Sequence, residues 1–215
     1  MHFEFLVEGQ CELTTLSILM PRIIGDYEHP HTWKIHKHRG IGKLMEDMSA
    51  VPNPADNTLL HNLPSKLRAY GASGKKDLVV VTLVDLDDRP DCHAFKAQLL
   101  HTLDPCTTPP QAMFRIAIEE LEAWFLGDSQ AILQAYPNAD SKIITSYNYD
   151  APCGTWELLM KAVNPAFFIA ASNKRSPRTM EEKLKIARRI APHMDVERNA
   201  SPSFQTFRDG IRRWL

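Results

Sequence analysis

The chain has 215 residues, a formal net charge of −1, 44% hydrophobic residues and 24% charged ones. That is enough apolar material for one domain with a sizeable core, or for one domain with a small appendage. The longest apolar stretch, Leu78 to Val84, is far short of the roughly 20 residues a membrane helix needs. No basic region with a cleavage site opens the chain, so cytoplasmic residence is expected. The four cysteines (Cys11, Cys92, Cys106, Cys153) form no CxxC pair and are read as reduced.

In chain order, His2 to Val7 is an apolar run that stops at Glu8-Gly9, which predicts a strand over about 2–8 ending in a carboxylate. A helix is expected over about 10–24, with Leu13, Leu16, Ile18 and Met20 among its apolar positions and Glu12 on its first turn. A second strand near 32–38 leads to a short helix at about 41–49. His29-Pro30-His31 and His36-Lys37-His38 alternate as strand faces do, and a solvated edge is the simpler reading than a metal site. The prolines of Val51 to Asn57 make a loop, and a helix follows at about 60–70.

Leu78 to Val84 is interrupted only by Thr82, as expected of a strand buried on both faces of a parallel sheet, and it ends in Asp85-Leu86-Asp87-Asp88. In extended geometry Asp85 and Asp87 point to the same side. A helix at about 91–103 carries Cys92, His93 and His101, which with Cys106 match no standard zinc spacing. After a proline-rich loop at 104–110, Ala112 to Ile118 alternates as a strand, and Glu119, Glu120 and Glu122 follow it directly. Strand and helix alternating in this way argue for a mainly parallel α/β sheet.

The remainder is helical. Thr155 to Val163 is ended by Asn164-Pro165, and Met180, Leu184, Ala187 and Ile190 mark an amphipathic helix with Glu181 and Lys185 as an i, i+4 pair. Ser201-Pro202 is an N-cap with proline at the first helical position, opening a helix whose Phe204, Phe207, Ile211 and Trp214 form a stripe for core packing. Residues 161–215 carry a net charge of +7, leaving −8 for residues 1–160. An acidic half joined to a basic tail suits attraction of a polyanion, with Lys174 and Arg175 in the 172–177 loop the first candidates for nucleic-acid phosphate contact.

Carboxylates at the ends of several parallel strands meet where such sheets bind ligands. Like charges gathered there cannot all stay ionised without a cation, and hard oxygen ligands select Mg²⁺ or Mn²⁺. Glu8, Asp85 and Asp87 are the expected catalytic set. Glu12 and one of the later glutamates, Glu119, Glu120 or Glu122, are expected to help place a second ion, although glutamates at a helix N-terminus are also what the helix dipole favours.

The order Glu-Gly after the first strand and Asp-x-Asp after a later one resembles the Toprim domain of topoisomerases, primases and the overcoming-lysogenization-defect nucleases. Taken together, VEGQCE, LVDLDD, RIAIEELEAWFLGD and NASPSFQTFRDGI resemble a bacterial Toprim-like family of unknown function. That family is often encoded beside an SMC-like or AAA-type ATPase in phage-defence pairs. One departure is Cys11, where the Toprim fingerprint usually has Thr.

The resemblance implies a Toprim-like, Rossmann-like catalytic core over 1–128 and a helical extension over 129–215. It also implies a metal-dependent nuclease acting on nucleic acid with an ATPase partner and no membrane. No tyrosine stands beside the motifs as a topoisomerase nucleophile, and no P-loop is present. Two alternatives stay open. One is a non-enzymatic regulatory partner of an ATPase; the other, from VDLDD alone, is a haloacid-dehalogenase-like phosphatase.

Overall fold

The computed structural model describes residues 1–170 and 176–215. Its sheet has four strands, all parallel: β1 (His2–Val7), β2 (Thr32–Lys37), β3 (Leu78–Asp85) and β4 (Gln111–Ala117), in the order β2-β1-β3-β4. The helices are α1 (Gln10–Ile24), α2 (Leu59–Ala72), α3 (Cys92–His101), α4 (Glu122–Leu126), α5 (Ser129–Ala135), α6 (Ser141–Thr145), α7 (Thr155–Val163), α8 (Pro165–Ala170), α9 (Pro177–Ile190) and α10 (Pro202–Arg212), with a 3₁₀ turn at Ala191–His193 between the last two. This is the Rossmann-like α/β plan expected from the alternating pattern.

Alternate side chains of the strands feed two separate cores, because successive residues of a strand point to opposite faces. Phe3, Phe5, Val7, Val81 and Leu83 pack under α1 and the C-terminal helices, whereas Leu6, Val80, Val84 and Phe114 pack under α2 and α3. Every residue from Leu78 to Val84 is buried, which is the double-sided burial its apolar run predicts. The connection from β1 turns one way to β2, and the chain then crosses back past β1 to β3. The strand order therefore reverses between β1 and β3, and in sheets of this kind ligands lodge at the carboxyl end of that crevice.

The residues of 129–215 that are described do not stand apart. Phe204, Phe207 and Ile211 of α10 and Ile186 and Ile190 of α9 belong to the same core as β1 and α1. Phe207 lies against both Phe5 and Trp124, with ring centroids 6.3 and 5.0 Å away. The last helix begins where its Ser201-Pro202 cap predicts, and α9 begins three residues before the expected Met180, on a cap of the same kind. The Ser176 and Ser201 hydroxyls accept from the backbone N–H groups of Thr179 (3.1 Å) and Phe204 (3.2 Å), each followed by proline in the first turn.

Two local expectations fail. No helix forms over 41–49, because Gly40 and Gly42 adopt φ of +88° and +68°, left-handed values that a right-handed helix cannot contain. A side chain at 42 would also strike Thr58 Oγ1 at 1.9 Å. In α9 the buried face runs through Thr179, Ile186, Ala187 and Ile190, while Met180 is exposed. The first turns of this helix cover a polar cleft rather than the apolar core, so its apolar stripe begins later than the spacing suggests.

Candidate functional site

At the carboxyl end of the sheet lies a cleft of about 510 Å³. Its acidic lining is Glu8, Glu12, Asp85, Asp87, Asp88, Glu119, Glu120 and Glu122, faced by Lys183 of α9 and Arg39. Glu8 leaves β1 and Asp85 ends β3, the two strands that flank the crevice. Their closeness is direct: the Asp85 N–H donates to Glu8 Oε1 at 2.8 Å. The carboxylates expected from the sequence all reach this one cleft.

They do not reach it in equivalent ways. Asp87 lies beyond the strand with φ of +51°, so the extended-chain argument that aligned it with Asp85 does not apply. It is instead held by its N–H, which donates to the Glu119 carbonyl at 2.7 Å, while Arg89 stands 3.4 Å from its carboxylate. Asp tolerates the left-handed region better than most residues. Glu12, on the first turn of α1, is buried, and its carboxylate is approached by its own N–H and that of Gly9. Glu12 is thus a buried first-turn residue that faces the acidic cluster, not an exposed one held only by the helix dipole.

Glu119 is the clearest departure from its expected role as an ion ligand. Its own φ is +64°, and its two oxygens accept from the N–H groups of Gly154 (2.7 Å), Thr155 (2.9 Å) and Cys153 (3.1 Å) at the start of α7. A carboxylate with three backbone donors anchors a helix N-terminus. Glu122 does face the cluster, and it meets Lys183 Nζ at 3.4 Å; Glu120 meets the same nitrogen at 3.1 Å.

The electrostatics follow from this crowding. Burial, with Glu12 and Asp87 adding to it, pushes the Glu8 carboxyl up to about 8 against the opposing Asp85 N–H bond. Burial also raises Glu12, though Lys183 opposes the rise. Asp85 is raised well above the usual carboxylate range, first by burial and then by Glu8, Glu12 and Glu122. Its Oδ1 is buried and has no hydrogen-bond partner among the described residues. Burial works against the charge on Lys183, yet Glu122, Glu120 and Asp85 outweigh it and hold the ammonium above its ordinary value.

The donor set fits a hard divalent cation in its chemistry: oxygen ligands only, one buried oxygen without a partner, and carboxyls held partly protonated for want of positive charge. Among the described residues, no three His, Cys, Asp or Glu side chains are already drawn together as a closed metal cage. The second half of the expected site is already countered by Lys183. That lysine belongs to the basic segment but was not distinguishable there from any surface lysine; an amphipathic helix passing over an acidic cleft is the signal that identifies it.

The basic C-terminal segment is otherwise largely committed within the protein. Lys185 pairs with Glu181 (3.1 Å), Arg198 with Asp195 (2.6 Å), Arg208 with Asp209 (2.7 Å) and Arg212 with Glu197 (2.5 Å), while Arg189 donates to the Ala135 carbonyl (2.8 Å). Lys174 and Arg175 lie outside the described residues. The cysteines are free, and His101 of the Cys92–Cys106 segment pairs with Asp104 at 2.9 Å. No described helix is long and apolar enough to cross a membrane.

A family model described as "Domain of unknown function (DUF4276)" matches residues 7–212. Comparison with curated proteins and with solved structures gives no match.

Proposed function

The chain belongs to the DUF4276 family, and from its acidic cleft we propose that it is a divalent-metal-dependent nuclease that cleaves nucleic-acid phosphodiester bonds. The observation that carries this reading is the buried, unpartnered Oδ1 of Asp85 beside Glu8 at the strand-order reversal. Glu8, Asp85 and Asp87 would hold one Mg²⁺ or Mn²⁺, with Glu12 and Glu122 adjacent to it. When bound, such an ion supplies charge neutralisation at the scissile phosphate and lowers the pKa of an attacking water.

The protein's own groups then have separable tasks. Glu8, with its carboxyl pushed up to about 8, holds a proton at neutral pH and gives it up when positive charge arrives. Lys183 keeps Glu120 and Glu122 from repelling the rest of the cluster. Glu119 ties the end of β4 to the start of α7. The left-handed turns at Asp87 and Glu119 lock the ends of β3 and β4 together, which preorganises the carboxylates before any substrate binds.

The Toprim-like resemblance adds the setting, a phage-defence pair with an SMC-like or AAA-type ATPase. A second reading is a non-catalytic partner of such an ATPase, and it is favoured by Lys183 and Arg89, which already counter part of the acidic charge. A phosphatase of the haloacid-dehalogenase type fits less well, since its Asp motif follows the first strand of the fold, whereas here Asp85 ends β3 and β1 ends at Glu8.

The deciding experiment is cleavage of labelled DNA and RNA oligonucleotides with and without Mg²⁺ or Mn²⁺, using wild type and Asp85→Asn. Cation-dependent cleavage lost in Asp85→Asn, at an unchanged or raised melting temperature, supports the nuclease. Cleavage that persists in the variant excludes it. A wild type that neither cleaves nor is stabilised by the cations leaves the partner reading, in which Asp85→Asn keeps its biological effect.

A further inference from the structure

A second depression, of about 880 Å³, runs along the carboxyl end of β2 and the flank of α2. Gly9, Gln10, Arg39, Gly40 and Met180 line both it and the acidic cleft, so the two adjoin across a shared wall. The sign of the lining reverses across that wall. Among the described residues no Asp or Glu lines this groove; its chemistry comes from His36, Lys37, His38, Arg39 and Lys66 with the amides of Asn57 and Asn62.

We propose that this groove is the track along which the sugar–phosphate backbone of a nucleic acid enters the acidic cleft. The inference rests on the nuclease reading above and names where its substrate lies. Counted by charge alone, the sequence places phosphate contact in the C-terminal segment, but most cations described there are held by carboxylates or carbonyls. In the groove Lys37 meets only the neutral Gln10 amide, and His36 Nε2 lies 2.5 Å from the Glu4 carboxylate. Neither the Arg39 guanidinium nor the Lys66 ammonium has a hydrogen-bond or ion-pair partner among the described residues.

Lys66 is half-buried, and burial lowers its pKa against the weaker pull of Glu4, so an incoming anion restores what desolvation takes away. The His38 Nδ1–H donates to the Val7 carbonyl at 2.8 Å, which leaves Nε2 for a ligand. Lys37 donates at 2.6 Å to the neutral amide of Gln10, a partner that a phosphate oxygen outcompetes by carrying charge. A row of cations and amides that tracks a strand end and leads to a cation-binding cleft is the electrostatic footprint of backbone recognition, which reads charge rather than sequence. Of the edge histidines read from the sequence as merely solvated, His38 thereby gains a ligand class, while His36 is paired with Glu4.

The test is fluorescence anisotropy with labelled single-stranded DNA, duplex DNA and single-stranded RNA, in EDTA so that binding is read without cleavage. The variants are Lys37→Ala/Arg39→Ala/Lys66→Ala and, as a pair confined to exposed positions, Lys37→Glu/Arg39→Glu. The control is Lys75→Ala/Lys76→Ala, at the opposite end of the sheet before β3. For a single strand each lost phosphate contact flattens the dependence of log K on log salt by about 0.7, so the triple variant is expected to lose about two units of slope. Its affinity falls at least about tenfold near 0.1 M salt, and the control keeps both properties.

Wild-type slope and affinity in both groove variants overturn the track and leave the nuclease reading standing. A wild type that binds none of the three probes overturns the track as well, and if cleavage is also absent the nuclease reading falls with it. The arm that binds most tightly distinguishes DNA from RNA and single from double strands.

Discussion

Replacing Lys183 by methionine removes one positive charge from the acidic cleft while keeping a side chain of similar length. The structure sets the size of the effect. Lys183 Nζ lies 3.4 Å from Glu122, whose side chain is 6% exposed, and 3.1 Å from Glu120, which is 17% exposed. Breaking a buried ion pair by deleting one partner costs about 3–5 kcal/mol, because the surviving charge is stranded. Glu120 reaches some water, so the lower end, about 3 kcal/mol, is the expected loss. The ammonium also stands 5.0 Å from the Trp156 ring centroid, and that cation–π contact goes with it.

In a chain of this length each kcal/mol moves the melting temperature by about 2–4 °C, so Lys183→Met is expected to melt roughly 6–12 °C below wild type in EDTA. Differential scanning calorimetry reads this directly. Two further arms isolate the cause. Adding Glu122→Gln to the variant restores part of the loss, since a neutral amide needs no cation. Excess Mn²⁺ stabilises Lys183→Met more than wild type, because a divalent ion takes over the freed carboxylates. A melting temperature within about 3 °C of wild type, or a double variant less stable than Lys183→Met, refutes the view that this lysine holds the cluster together.

Glu8 supplies a pH signature. Its carboxyl is near 8 in the folded protein against an ordinary 4.5, so between those values the folded state binds more protons than the unfolded one. Stability contributed by this group therefore falls as pH rises through the window. Glu8→Gln, which can still accept the Asp85 N–H, should melt above wild type in EDTA by a margin that grows from pH 5 to pH 8; a margin independent of pH contradicts the assignment. Glu119→Ala leaves three N–H groups at the start of α7 without their acceptor. It is expected to cost about 1–2 kcal/mol in urea denaturation, as loss of a helix cap does, and a loss below about 0.5 kcal/mol would mean that water replaces the carboxylate freely.

Much of the fold is legible residue by residue. The apolar run Leu78 to Val84 announces a strand covered on both faces, and Ser201-Pro202 marks the start of α10 through a cap and a proline in the first turn. The strand-end acids Glu8, Asp85 and Asp87 are legible as well, since each follows an apolar run at a point where such sheets bind ligands. The failures have local physical causes. Gly40 and Gly42 turn the chain left-handed where spacing alone suggests a short helix. The apolar spacing of α9 includes exposed Met180 and passes over Lys183, because period reports amphipathicity but not what the helix covers. Glu119 and Glu122 are indistinguishable by composition; a left-handed turn at Glu119 sends its carboxylate to α7, while Glu122 stays with the cluster.

By itself the sequence determined the alternation of strand and helix, the caps and the residue types gathered at strand ends, because those depend on neighbours a few positions apart. Only the tertiary structure decided that Glu8 touches the backbone of Asp85, that Lys183 arrives from α9 to face Glu122, and that the cations of β2 adjoin the acidic cleft. Those contacts join residues far apart in the chain. They depend on the order in which strands pair and on the rotation of each helix, and no local pattern encodes either.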